Sequence, residues 1–423
     1  MNSEKILVNR NTHGKYINSI KEFMNRNIRQ YGMIFALFVI MVFFGIVTGG
    51  KLIWPRNVSM LVRQNAYVLI LAIGMMFCIL TGGNVDLSVG SLVALVSAMS
   101  GLMATTIGLP SWLAIIISIM TGLLAGVWQG FWIAYVRVPP FITTLAGMLV
   151  FRGLNNIILD GQTLPLSGLY VTIGTGSVPD VAPNTVPDFL HIGELLKLQN
   201  KPDFLNVTML IVGLALSIIY VLFVIFNRKS KIIRGYEVSS LMSVTAKAVL
   251  FFISINIFAY WLAMDEGLPI MLILLAALYA SYTFIATKTI PGRHIYAMGG
   301  NIKAAELSGV NTKRMMFLVY SNMGLLAGVA AVVTAGRMMA SSPNVGANFE
   351  LDAIGACFIG GASAYGGIGT IWGAVVGAFI MGVMNNGMSI IGLNVFLQSV
   401  AKGLVVLLAV AFDMYSKSKS RLG

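Results

Sequence analysis

The most polar stretch between two apolar runs of this 423-residue chain is Thr81-Gly82-Gly83-Asn84-Val85-Asp86-Leu87-Ser88-Val89-Gly90-Ser91. An amide, a carboxylate and hydroxyls at this spacing suit two roles. Asn84, Asp86, Ser88 and Ser91 could line a passage for a polar solute, or Asp86 and Ser88 could simply cap the N–H groups that open a helix. A carboxylate at mid-membrane costs about 2.5–3.5 kcal/mol, so Asp86 needs an interface or a partner. Other polar groups lie in or near apolar runs: Gln64, Asn65, Gln129, Thr143 and Thr144 beside Phe141, Arg152, Asn155, Asn385, Asn386, Gln398 and Lys402. Neutral amides and hydroxyls serve a path for a polyhydroxylated solute, and they serve equally as glue between helices in lipid.

Absences narrow the chemistry. No GxxxxGK[ST] cradle for nucleotide phosphates occurs. His13, His191 and His294 fall in separate loops, which speaks against a metal cluster or a histidine relay. Cys78 and Cys357 sit in apolar runs and imply no disulfide framework. A membrane enzyme would need a nucleophile or metal cluster that is missing, and no cofactor is expected. An ion-coupled carrier would need paired carboxylates inside its spans, and these are expected to be lacking too. A channel would leak solute with no partner. Energy for transport must then enter through a surface.

The segment from Lys288 to Arg314 offers such a surface. It carries Lys288, Arg293, Lys303, Lys313 and Arg314 against the single acid Glu306. A basic loop between spans belongs inside the cell. Its middle reads as a short helix: Asn301 caps it, Lys303-Ala304-Ala305-Glu306-Leu307 are good formers, and Gly309 suits a left-handed stop. It is either a docking helix for a partner or an ordinary solvated loop.

The elements around these residues follow from composition. Mean hydropathy is +0.85, 57% of residues are hydrophobic and 10% are charged, so the chain is an integral membrane protein. The formal charge of +13 fits inside loops facing anionic lipid and does not call for nucleic acid. Apolar runs at 31–49, 62–80, 88–108, 111–135, 142–159, 206–226, 245–263, 268–287, 315–335 and 393–411 predict an all-α polytopic fold. About 10–12 transmembrane helices are expected. The stretch 350–385 is broken by Gly360-Gly361 and Gly366-Gly367-Ile368-Gly369, which predicts a pair of helices or half-helices. A basic tail over 1–30, without a cleavable signal, is expected inside, as are the loops 228–246 and 288–314 and the tail 416–423. The segment 160–205 is expected outside. Lys51, Arg56 and Arg337 run against this charge rule. A faint echo links Ala72-Ile73-Gly74 through Ser91 with Ala353-Ile354-Gly355 through Thr370, either as two related halves or as chance in a glycine-rich chain.

Four ordered blocks resemble the permease family of ribose/galactose/xylose-type ABC importers, over roughly residues 31–415: Thr81–Ser91, Phe141–Leu145 with Arg152-Gly153, Gly292–Gly309, and Phe349–Gly369. The chain looks closest to the xylose-type and multiple-monosaccharide permeases, through its extra segment at Arg234–Trp261 and its long 161–203 loop. The resemblance implies a homodimer in the bacterial inner membrane, a cytoplasmic ATPase carrying two nucleotide-binding modules, and an external sugar-binding protein. It would make Asn301–Gly309 a coupling helix, with Asn301, Lys303, Ala304, Ala305, Glu306, Leu307, Gly309 and Arg314 at the contact and the Ala304-Ala305 pair allowing close approach. It would also place Thr81–Ser91 and 360–370 near the path, with Phe141, Thr143, Thr144, Asn385 and Asn386 as further candidates. The chain departs from the commoner pattern at Asn84-Val85 and at Ala362-Ser363-Ala364-Tyr365, which leaves the sugar open.

Overall fold

The computed structural model describes residues 32–182, 205–236, 238 and 241–421. The basic residues expected to set the tail 1–30 inside lie outside the described residues. So does the segment 183–204, part of the loop expected outside.

Long apolar runs form helices because lipid leaves no other partner for backbone N–H and C=O groups. In chain order they are α1 (Gly32–Val47), α2 (Pro55–Gln64), α3 (Ala66–Leu80), α4 (Val89–Gly101), α5 (Ser111–Phe131), α6 (Pro140–Leu159) and the short α7 (Leu169–Thr175). Then come α8 (Val207–Ile233), α9 (Leu241–Ala263), α10 (Ile270–Lys288), α11 (Ile290–Gly300), α12 (Ile302–Leu307) and α13 (Thr312–Met338). The last three are α14 (Phe349–Ile359), α15 (Ile371–Ile390) and α16 (Val395–Arg421). Among the described residues, nine helices are long and apolar enough to cross a membrane, or ten with the bent pair α2–α3. The only described sheet is a two-residue antiparallel pair, β1 (Leu164–Pro165) with β2 (Ala340–Ser341), in the register Leu164↔Ser341.

The run expected at 62–80 starts earlier and bends by 41° between α2 and α3. At the bend Asn65 leaves helical geometry and turns its amide back to the Leu61 carbonyl at 2.9 Å. The preceding Arg63 is drawn sideways to Ser177 at 2.8 Å and to Glu266 at 2.7 Å. Two helices also outrun their expected spans, since α8 carries the basic residues Arg228–Lys231 as helix and α13 begins at Thr312.

The core is built on α3 and α13. Almost every residue of α3 is buried, which fits a helix apolar all round and enclosed by others. α13 packs closely on α5, because Gly122 and Gly126 face Gly324 and Gly328. A Cβ on Gly126 would lie 2.8 Å from the Gly324 Cα, so only glycine permits this approach. The outer helices α1, α8, α9 and α16 keep broad exposed apolar faces, as lipid-facing helices do.

Candidate functional site

At the end of the bundle where α13 begins, three segments converge. The link 81–88 joins α3 to α4, the glycine-broken link 360–370 joins α14 to α15, and α11 ends at Gly300. The Gly367 N–H donates to the Leu80 carbonyl at 3.1 Å, and the Tyr296 hydroxyl of α11 donates to the Gly369 carbonyl at 2.9 Å. Gly366 and Gly367 hold φ of 83° and 70°, and a Cβ on Gly367 would come within 2.8 Å of the Gly299 backbone. Both the handedness of the turn and the contact therefore demand glycine. The sequence echo has a spatial counterpart here. α3 and α14 lie side by side, with the Cys357 thiol donating to the Ala72 carbonyl at 3.3 Å, and their following links touch.

The short helix of the basic loop forms as its residues dictate. The Asn301 side chain accepts from the Ala304 N–H at 3.0 Å, and Gly309 ends it with φ 85°. Lys303, Ala304, Glu306, Leu307, Lys313 and Arg314 are all exposed, with Leu307 at 91%. Glu306 accepts from the Thr312 hydroxyl and so steadies the following helix. Ala305 behaves differently from its neighbour: it is 5% exposed and packs on Met298 and Met315 of the protein's own body. The outward face is Ala304 and Leu307, so close approach across an Ala304-Ala305 pair is open only at Ala304. Ile302 sits against Gly82, which ties the short helix directly to the first link.

The polar residues of the first link mostly serve one another. Asp86 accepts from the Ser88 N–H at 2.9 Å and from its hydroxyl at 2.6 Å, and Gln129 of α5 donates to the Ser88 hydroxyl at 2.7 Å. Asp86 is thus a buried cap and brace, while Asn84 is half-buried and bonded to Thr81. Ser91 is buried inside α4. Thr143 and Thr144 are buried near the start of α6 and bond to backbone carbonyls of the preceding turn, while Phe141 is exposed.

Asn385 and Asn386 lie far from that group, towards the opposite end of the bundle. Asn386 clamps α15 to α2, exchanging amide hydrogen bonds with Asn57 at 2.9 and 3.2 Å and reaching Gln64 at 3.3 Å. Asn385 opens onto a cavity of about 450 Å³. The α2–α3 bend, the last turns of α13, the loop 344–347, α15 and α16 build its walls. The amides of Gln64, Asn65, Asn344 and Gln398 line it beside Thr334 and Ser389. Tyr67 and Phe349 stack at 3.6 Å along one wall. Arg152 and Asn155 of α6 hold the loop in place by donating to the Pro343 and Val345 carbonyls.

Charge also lines this cavity, through Arg63, Arg337 and Lys402. Asp352 of α14 is 1% exposed, ion-paired to Lys402 at 2.9 Å and hydrogen-bonded to Tyr67 at 2.7 Å. The spans were expected to lack paired carboxylates, yet α14 carries both Glu350 and Asp352 in its first turn, and Lys402 of α16 neutralises Asp352. Arg337 of α13 also faces the cavity, without an ion-pair partner among the described residues. Sequence reasoning flagged Arg337 only as an exception to the charge rule, and that violation was the available signal. No group of His, Cys, Asp and Glu able to hold a metal occurs among the described residues.

A polytopic helical body, a capped helix offered at one end and a polar cavity at the other define a solute permease rather than an enzyme. The chain belongs to the family described as branched-chain amino acid transport system / permease component, which matches residues 57–186 and 194–410. It is 38% identical to the xylose transport system permease protein XylH of Haemophilus influenzae, over 93% of this chain and 98% of that one. To XylH of Escherichia coli K12 it is also 38% identical, over 93% of this chain and 94% of that one. To the ribose import permease protein RbsC of Bacillus subtilis it is 31% identical, over 91% of this chain and 93% of that one. No solved structure matches the chain. It is a multi-pass membrane permease component of a transport system, placed by its family in the inner membrane.

Proposed function

We propose that this chain is the transmembrane subunit of an ATP-driven, binding-protein-dependent importer of monosaccharides, xylose or a related pentose or hexose, working as a homodimer with both termini in the cytoplasm. The observation that carries the sugar reading is the polar cavity. Its amides and hydroxyls can exchange hydrogen bonds with a ring of hydroxyls, and its aromatic wall can receive the apolar face of that ring. The names of the relatives, xylose and ribose permeases, support the same class.

In this reading the loops 228–246 and 288–314 face the cytoplasm, 160–205 faces out, and the domain spans 31–415. A cytoplasmic ATPase seats Asn301–Gly309, with Leu307 entering an apolar groove and Lys303, Lys313 and Arg314 meeting acidic groups. An external binding protein delivers sugar to the cavity end. ATP-driven closure of the ATPase then moves α12, which touches the first glycine link through Ile302 and follows directly on α11, which touches the second, so the motion passes to α3, α4, α14 and α15. A ligand can shift such an equilibrium only by its differential contacts with the two states, and the links are the elements both partners can bias.

The family description points to a second reading, an amino-acid importer. A zwitterion would require Arg337 to meet a carboxylate and a carboxylate to meet the ammonium group, yet Asp352 is already occupied by Lys402. Co-purification with the ATPase and binding protein, followed by an ATPase assay in liposomes, separates the readings. Stimulation by xylose- or ribose-loaded binding protein is expected. Stimulation by leucine or valine alone would replace the sugar reading, and transport by the purified chain alone would overturn the ATP-driven one.

A further inference from the structure

The antiparallel hairpin α8–α9 is closed at one end and open at the other. Gly213 admits Ala259 at close range, Asn256 donates to the Ser217 hydroxyl at 3.0 Å, and the Tyr220 and Phe251 rings pack at 4.8 Å. Beyond this point the helices part around a cavity of about 760 Å³. Its floor and walls are aliphatic and aromatic, including Val221, Ile225, Ala248 and Phe252, and two cations, Arg228 and Lys229, stand further along α8. Among the described residues no carboxylate lines it. The Arg228 Nη1 is buried and has no hydrogen-bond partner among the described residues, an orphan donor inside a groove whose other described lining is apolar apart from Lys229 and Thr245. From Val221 to Ile233 the groove runs along α8 for about 18 Å at the helical rise of 1.5 Å per residue. Half of a bilayer core measures about 15 Å.

We propose that this groove is a binding site for one anionic phospholipid, whose acyl chains occupy the apolar part and whose phosphate takes the orphan donor of Arg228 with Lys229 beside it. Three observations select this occupant. The hairpin is among the least buried parts of the bundle, so bilayer lipid reaches the groove directly. The lining is apolar over a length suited to one leaflet, which a free phosphate would not use. The cations face the groove with no described acid to neutralise them, and basic pockets between spans recognise anionic headgroups through charge-assisted hydrogen bonds. Lys231 and Arg234 follow on the next turn and strengthen the local field.

The test uses the permease purified with its partner subunits and reconstituted in nanodiscs of equal phosphatidylglycerol and phosphatidylcholine, with retained lipid counted by native mass spectrometry. Wild type should retain phosphatidylglycerol selectively. The Arg228→Gln/Lys229→Gln variant should lose that preference by about tenfold at unchanged thermal stability. Ala248→Trp, which fills the groove and leaves both cations, should lose it as well, so that charge and cavity are tested separately. Selectivity that survives both variants, or retention with no headgroup preference, would overturn the proposal. Displacement of the bound species by inorganic phosphate would assign a free-anion site instead. Cross-linking of Cys introduced at Ile225 between two copies, with lipid excluded, would give the groove to the second protomer.

Discussion

Asp352 and Lys402 bury opposite charges that neither could carry alone in the cavity wall. Removing one partner of a buried pair costs about 3–5 kcal/mol, whereas replacing both is often close to neutral. Lys402→Met should therefore lower the thermal midpoint in detergent sharply, and Asp352→Asn/Lys402→Met should recover most of it. The coupling helix makes a second residue-level case. Leu307 is exposed and bonded to nothing, so Leu307→Glu should leave folding intact and abolish stimulation of the ATPase by loaded binding protein. Ala305→Glu places a carboxylate between Met298 and Met315 and should unfold the loop, at a cost on the order of 3 kcal/mol read as lost thermal stability. Comparing the two variants separates docking from packing. Asn301 and Gly309 were legible because caps and stops are local chemistry, whereas the bond Glu306 accepts from Thr312 was not. The inward turn of Ala305 was not, because which alanine of a pair faces the body depends on Met315, ten residues further on.

Helices and links carry the next set of consequences. α5 and α13 meet through four glycines, and Gly126→Leu would drive a side chain into the Gly324 backbone. That variant should fail to assemble, with loss of the protein from the membrane fraction, while Gly153→Leu, where nothing lies within 4 Å, should be tolerated. At the junction of the two links, Gly367→Ala meets both a left-handed φ of 70° and the Gly299 backbone. We expect insertion at near-normal levels with uptake lost and basal ATPase retained, measured in the reconstituted complex. The spans themselves were readable because an apolar run of the right length has one fate in lipid. The bend at Asn65 was not, since it answers to Ser177 and Glu266, residues more than a hundred positions away. The likeness of Ala72–Ser91 to Ala353–Thr370 was visible as a faint echo in sequence, but nothing in that echo said that the two stretches touch. Their contact through Leu80 and Gly367 needed the fold.

At the scale of the whole molecule, the residues proposed for the path divide between two ends. Asn84, Asp86, Ser88, Phe141, Thr143 and Thr144 belong to the coupling end, and Asn385 to the cavity end, with α13 running between them for about 40 Å. Residue type marked all of them as candidates for one path, while their separation depends on which way each helix runs. One further feature of the architecture concerns the α8–α9 hairpin. The strand-like residues before and after it meet: Ser177 pairs with Pro269, the Val178 N–H donates to the Leu268 carbonyl at 2.9 Å, and the Ile270 N–H to Gly176 at 3.0 Å. Arg63 staples this neck through Ser177 and Glu266. The chain thus leaves and re-enters the bundle at one point, and its described residues cross twice in between, as α8 and α9. Such an excursion can be lengthened, exchanged or cut out without reversing the sidedness of anything downstream, so a chain joined directly from Ser177 to Pro269 should still present its coupling helix on the same face of the membrane.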